Sequence, residues 1–447
     1  GRFSFVLSMQ SGDNVVWVEA LTGSGSIKSK SVKHSLMYKP LPTVRPLVKV
    51  VGDSVILRAD VLDNPYDKPL RFAWTSRNDN PTAVGIISAS GPTAAALIPK
   101  QNGKYYFDLL VVSEDDSVIF STYCLRNGEG LSGFSIDSDY STWIDDAVIY
   151  EITPYKFVEN GTFADITAKL AELKSLGINT IWLQPVFSTS QKGQGYDVVN
   201  YREVNSQLGS EDSLRKLIAT AKNLGMRVIF DMVLNHTSIH HPYAKDFVAH
   251  GKQSHYYNYY QRDFDGVPYA SFYNKHPDGF VYYFWRDLVN LNFDNEEVQR
   301  WMIEVCKYWI TEFQIDGFRF DAVWGVNARK PSFSKRLRNE LKSINPDVLM
   351  LAEDKPSHFV YQNGFDVAYD WTADTTWVSQ WSWQYQYHEQ KSFTIFNHPE
   401  VQLRAAMLND AIFENDSSRL PRLRFMENND LPRFINDHTI AQTRMVA

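Results

Sequence analysis

Four acids stand at or just past the ends of short apolar runs: Asp231 after Arg227–Phe230, Asp321 after Gly317–Phe320, Glu353 after Val348–Ala352, and Asp430 beyond Arg422–Met426. If those runs are parallel strands of a closed barrel, their C-terminal ends converge on one mouth. Asp321 and Glu353 belong to consecutive runs, and neighbouring strands lie ~4.8 Å apart. Two carboxyl groups about 5 Å apart suit a retaining glycosidase, in which one carboxylate attacks and the other acid protonates the departing oxygen; a wider gap would suit inversion. Arg319 lies two residues before Asp321 and so on the same side of a strand, where its charge favours an ionised, nucleophilic carboxylate. Glu353 follows the apolar Val348-Leu349-Met350-Leu351-Ala352, and partial desolvation keeps a glutamic acid protonated to higher pH, as a general acid requires. Taken singly, each acid reads more readily as a cap or a surface group, so the reading rests on all of them meeting.

The surrounding chain has the pattern needed to bring them together. Ala147–Ile152 reads as a strand. Ile166, Leu170 and Leu173 fall at helical spacing, Gly177 stops that helix, and Thr180–Leu183 is a second apolar strand. The unit repeats through the stripe Leu214, Leu217, Ile218, Ala221 and Leu224, closed by Gly225 before the strand Arg227–Met232. Met302, Val305 and Trp309 then precede Gly317–Phe320, and further strands fit at Val348–Ala352, Asp366–Asp370 and Arg422–Met426. Seven strands alternating with helices predict a parallel α/β fold. Residues 238–292, dense in Tyr, His, Phe and Asp, interrupt the alternation as an inserted subdomain placed to overhang the strand ends.

Upstream the period changes to two. Residues 1–37 carry about three strands and read as the tail of a β-domain, residues 38–46 with three prolines as a stiff linker, and residues 47–127 as a complete small β-sandwich. The Gly103–Val112 run and Trp74 loosely resemble polycystic-kidney-disease and other immunoglobulin-like modules.

Composition excludes several classes. The 447 residues are 44% hydrophobic and 22% charged, and a net charge of −7 has the wrong sign for a nucleic-acid binder. Cys124 and Cys306 cannot build a disulfide scaffold or a cysteine-ligated zinc site. No apolar run reaches the roughly 18 residues of a membrane span. Gly1-Arg2-Phe3-Ser4 lacks a signal peptide's pattern and reads as a cut or processed start. His236 and His240 have the spacing of a zinc protease, but Thr237 stands where its glutamate would be. Aromatic residues reach 14%, flat rings suited both to a large core and to stacking on sugars.

Four strings, Asp231-Met232-Val233-Leu234-Asn235-His236, Gly317-Phe318-Arg319-Phe320-Asp321-Ala322-Val323, Leu351-Ala352-Glu353-Asp354 and Phe425-Met426-Glu427-Asn428-Asn429-Asp430, resemble the signature regions of the α-amylase family of glycoside hydrolases, in that family's order. Gly195–Tyr201 resembles its substrate-stacking loop, and Leu288–Asn292 loosely resembles its fifth region; the resemblance covers about residues 141–447. It implies a multidomain protein with immunoglobulin-like β-sandwich modules before a TIM (β/α)8 barrel. It further implies Asp321 as nucleophile, Glu353 as general acid/base and Asp430 as transition-state stabiliser. By the same resemblance Arg319 orients Asp321, His236 and Asn429 bind the sugar, Tyr196 stacks beneath it, and Asp231 holds Arg319. Asn235 matches a calcium-ligand position, so calcium is a candidate ligand although the chemistry requires no cofactor. The implied partner is an α-glucan, and the appended modules and polymeric substrate suit an extracellular, cell-surface or periplasmic location.

Three departures stand out. Asn429 replaces the family's usual His, Trp324-Gly325 replaces a typical Lys-His, and only Leu431–Ala447 follow strand seven, which leaves the barrel without strand eight and predicts either low stability for this chain or a source protein that carries the missing part. Two rival functions follow: an α-glucan transglycosylase, or a non-catalytic glucan-binding surface protein.

Overall fold

Alternating burial, clearest along Gly103–Ser113, marks the β-rich first part of the chain, and the fold divides into an N-terminal β unit that reaches Gly133 and an α/β unit that begins at Phe134. The structure is a computed structural model and describes residues 12–447 except 24, 37–39, 115, 191–192, 263–273, 284, 355, 371–398, 414–420, 432, 438 and 447.

In the β unit, Gly12–Val16 pairs with Val32–Leu36 and Glu19–Thr22 with Gly25–Lys28, giving four short strands where alternation suggested about three. Two four-stranded antiparallel sheets follow. One orders Thr43–Val51, Ser54–Asp63, Thr93–Leu97 and Ile86–Ile87; the other orders Gly130–Gly133, Asp116–Asn127, Gly103–Ser113 and Leu70–Ser76. Every second residue of Gly103–Ser113 is buried, and Phe107, Leu109 and Val111 join Val55, Leu57 and Trp74 in the core. Two boundaries need correction. The stretch 38–46 is not a linker throughout, because the first strand starts at Thr43 and sets Pro46 opposite Ala59. That strand is an edge, where proline's missing N–H costs no ladder hydrogen bond. The module also runs past residue 127, through Gly130–Gly133.

The α/β unit is built on one parallel sheet: β1 (Ile149–Ile152), β2 (Thr180–Leu183), β3 (Arg227–Val233), β4 (Gly317–Asp321), β5 (Leu349–Ala352), β6 (Val367–Tyr369) and β7 (Arg422–Leu423). Spatial order equals chain order, the arrangement of a barrel wall. Among the described residues no eighth strand pairs with β1 or β7. β2, β4 and β5 are buried along their whole length, as sheets covered on both faces demand. Trp182, Ile229, Leu349, Leu351, Val367 and Tyr369 pack together as one cluster.

Helices cross between the strands as the apolar stripes predict. α1 (Phe163–Ser175) starts at a capping box in which Thr162 and Asp165 serve each other's backbone, and it buries Ile166, Leu170 and Leu173. α2 (Glu211–Asn223) is capped by Ser210 and buries Leu214, Leu217, Ile218 and Ala221. α3 (Glu296–Phe313) is capped by Asn295 and runs into β4. After β4 come the short α4 (Val323–Arg329) and the longer α5 (Pro331–Ile344). The insertion is anchored at its base, where His236–Ser238 pairs antiparallel with Leu288–Asn290.

Candidate active site

The register of the central strands brings the acids together. Asp231 of β3 lies opposite Arg319 of β4, and Phe320 lies opposite Ala352 of β5, so Asp321 and Glu353 leave adjacent strands at one level. Arg319 is fully buried at the centre. Its Nη1 donates to Asp231 Oδ1 at 2.8 Å and to Asp321 Oδ1 at 2.9 Å, and its Nε donates to the Tyr369 hydroxyl at 3.0 Å. Nη2 lies 2.7 Å from Glu353 Oε1, an ion pair by distance that is not aligned as a hydrogen bond. The guanidinium is flanked by the rings of Trp182 and Tyr369, at 5.2 and 5.6 Å from their centroids. Asp231, buried behind it, also accepts from the Tyr196 hydroxyl at 2.9 Å and from Trp182 Nε1 at 3.3 Å. Asp231 therefore holds Arg319 and Tyr196 in place.

Backbone geometry aims Glu353. At the exit of β4 the chain turns through Ala322 at φ 44°, ψ 31°, a left-handed conformation that a residue with a Cβ enters at a cost. The turned Ala322 N–H donates to Glu353 Oε2 at 2.5 Å. Each Glu353 oxygen thus faces a fixed positive group.

One guanidinium cannot neutralise three carboxylates out of water, so the cluster retains protons and titrates as a unit. Burial pushes the Glu353 carboxyl well above the usual range, with Arg319 pulling it back. Burial also raises Asp321, whose direct hydrogen bond to Arg319 opposes the rise. Burial lifts Asp231 to about 7. Burial works against the charge on Arg319 itself, but Asp231 and Glu353 outweigh it and hold the guanidinium protonated. Both carboxyls of the adjacent pair are raised by burial, and Arg319 opposes the rise at each.

A cavity of about 290 Å³ opens over this cluster. Asp321, Glu353, Asp430, Asn429, Tyr196, His236 and Asn235 all line it, so the acids and sugar-binding residues expected from sequence meet in one place. Arg319 does not line it and acts from behind. Asp430 sits exposed at the mouth, its N–H on Asn428 Oδ1 at 3.0 Å. Asn429 Nδ2 makes long, 3.4 Å contacts to the Tyr196 hydroxyl and Asp430 Oδ1. His236 is kept neutral, burial lowering its pKa to about 4.

Sequence reasoning missed four contributors. Tyr283 and Trp285 from the insertion join Trp324 in an aromatic wall, with Tyr283 and Trp324 centroids 4.8 Å apart and Trp285 61% exposed. Tyr369 hydrogen-bonds Arg319 from β6. Glu151, at the end of β1, accepts from Gln184 Nε2 at 2.8 Å, and burial lifts its carboxyl to about 7. An acid at a strand end was the available signal for Glu151. No spacing marks the others, which are aromatic residues in an aromatic-rich chain.

The calcium expectation at Asn235 meets an obstacle. Asn235 Oδ1 already accepts from Arg329 Nη2 at 2.8 Å, and a buried guanidinium repels a divalent cation. Among the described residues no group of three His, Cys, Asp or Glu side chains is placed to hold a metal. Among the described residues, those around Asn235 do not fit calcium.

Residues 134–439 match the alpha-amylase family as its catalytic domain, more than half of the chain. The chain belongs to the α-amylase family. Its relatives include the α-amylase MalA of Haloarcula japonica, 29% identical over 75% of this chain and 50% of that protein. A maltogenic α-amylase of Bacillus acidopullulyticus is 27% identical over 62% of this chain and 51% of that protein. The chain spans about half the length of these curated relatives. The solved cyclic α-maltosyl-(1→6)-maltose hydrolase of Arthrobacter globiformis, in complex with maltose, shares the fold at 23% identity and TM-score 0.53, over 67% of this chain and 69% of that one. No helix among the described residues of this amylase-family chain is long and apolar enough to cross a membrane.

Proposed function

We propose that the chain is a retaining glycoside hydrolase that cleaves α-glucosidic bonds of starch-like α-glucans or maltooligosaccharides. One observation carries the reading: Asp321 and Glu353 face one cavity from adjacent strands, tied to one guanidinium. Family membership and relatives named as amylases supply the substrate class.

Glu353 gives its proton to the glycosidic oxygen as an Asp321 oxygen bonds the anomeric carbon and the C–O bond to the leaving sugar breaks. Loss of that proton leaves Glu353 a carboxylate, stabilised by Arg319 Nη2 and the Ala322 N–H. It then takes a proton from water, whose oxygen bonds the anomeric carbon and releases Asp321 as a carboxylate held by Arg319 Nη1. Asp430, at the mouth, grips sugar hydroxyls, and the neutral His236 donates to the sugar ring in the cleaved subsite. Tyr196, tethered to Asp231, stacks beneath that sugar.

Release of reducing ends from soluble starch is expected from the wild type and from neither Glu353→Gln nor Asp321→Asn. Activity that survives either change overturns this assignment, and glucan retention without cleavage by the wild type identifies a binding protein instead. The wall of Tyr283, Trp285 and Trp324 favours a second reading, transfer of the sugar to another sugar's hydroxyl in place of water. Products longer than the donor at high maltooligosaccharide concentration would establish it.

A further inference from the structure

Arg329 is the last residue of α4 and does not line the cavity, yet it is buried at the back of the cavity wall. Its Nη1 donates to the Tyr283 hydroxyl, and its Nη2 donates to Asn235 Oδ1 at 2.8 Å. Space for this arrangement exists because residue 325 is glycine: a Cβ there would lie 2.9 Å from both Asn235 Oδ1 and the Tyr283 ring.

The contact has a chemical consequence one residue further on. An arginine only donates hydrogen bonds, so the Asn235 atom facing it must be the oxygen, and the amide orientation is fixed. Its Nδ2 is left facing His236 Nδ1 at 3.3 Å and Asn290 Oδ1 at 3.4 Å. A donor facing Nδ1 favours the ring form in which Nδ1 carries the lone pair and Nε2 the proton. His236 Nε2 makes no well-aligned hydrogen bond among the described residues, the Tyr196 backbone also faces the ring as a hydrogen-bond partner, and the ring lines the cavity that Asp321 lines.

We propose that Arg329 is a positioning residue: its fixed cation takes the place a divalent metal would occupy at Asn235, and through the Asn235 amide it sets His236 as an Nε2–H donor toward the substrate. The sugar as recipient of that hydrogen bond rests on the glycosidase reading. The ring form and the exclusion of metal do not.

The test therefore reads the ring and the metal directly. In 15N-histidine-labelled wild type, the His236 signals, assigned by their loss in His236→Gln, are expected to show an unprotonated Nδ1 and a protonated Nε2. Arg329→Lys, which retains a cation and donor, is expected to keep that spectrum and to stay within about 3-fold of wild-type kcat/KM. Arg329→Met is expected to mix the two ring forms and to lose at least about 10-fold, mainly through KM. Equilibrium dialysis of the wild type against millimolar calcium is expected to find no ion that Asn235→Ala removes. A wild-type Nδ1–H, or one calcium per chain lost in Asn235→Ala, overturns the proposal. Both wild-type measurements stand even if Arg329→Met fails to fold. A chain that releases no reducing ends but shows the expected ring and no such calcium refutes the glycosidase reading alone.

Discussion

Glu151 offers the sharpest test of the electrostatics beneath the site. It sits at the end of β1, largely buried, with Gln184 as its hydrogen-bond donor, and its carboxyl is lifted from 4.5 to about 7, chiefly by burial. The folded protein therefore holds this proton to higher pH than the unfolded chain does, and folding is penalised progressively as pH rises from about 4.5 to 7. At about 1.4 kcal/mol per pH unit, the full penalty above pH 7 approaches ~3 kcal/mol, and partial contact with water brings it toward ~1–2 kcal/mol. Glu151→Gln preserves size and cannot ionise. Gln184 Oε1, buried without a partner among the described residues, can accept from the new amide. The variant is thus expected to match the wild type in urea at pH 4.5 and to exceed it by about 1–3 kcal/mol at pH 8. Equal stability at both pH values, or a variant that is weaker only at high pH, would refute the claim that this carboxylate is buried at a cost.

Three further outcomes follow from the packing. Gly317→Ala would set a Cβ 2.6 Å from Leu349 Cβ and its carbonyl oxygen, between β4 and β5, so a loss of at least about 2 kcal/mol is expected in thermal unfolding, with activity falling in the folded fraction. Ala322→Val places a branched side chain at φ 44° and disturbs the N–H that serves Glu353; a lower kcat together with about 1–2 kcal/mol of lost stability is expected in steady-state kinetics and melting. Trp324→Ala removes one face of the aromatic wall, and KM for maltooligosaccharides is expected to rise about 2- to 10-fold with kcat nearly unchanged.

What the sequence discloses here depends on whether a residue's role is set by its own strand or by what packs behind it. β2, β4 and β5 are legible because each is a short apolar run ended by a turn, and β4 with its Arg319 and Asp321 is legible down to the side on which each side chain points; of the expected Arg422–Met426 run the structure keeps only Arg422–Leu423 as a strand. Helix starts are legible for the same local reason: Thr162, Ser210 and Asn295 are capping types immediately before the stripes they cap. The prolines of residues 38–46 mislead because proline disfavours a central strand but not an edge, and only the finished sheet shows that the Thr43–Val51 strand is an edge.

The same division explains why Asn235 reads differently once folded. Its place in the string Asp231–His236 resembles a metal ligand's, but an amide oxygen serves equally well as acceptor from a guanidinium, and which of the two it meets depends on a helix ninety residues away. Gly325 leaves room for that approach and Arg329 completes it, so two residues remote from the string decide the chemistry of one within it. With Oδ1 held at 2.8 Å by Arg329, calcium binding there would set a divalent ion against a buried guanidinium or require that guanidinium to give up its bond to the amide. The cation that orients His236 is therefore covalently part of the chain, and the geometry it sets is expected to persist when chelators strip metal from solution.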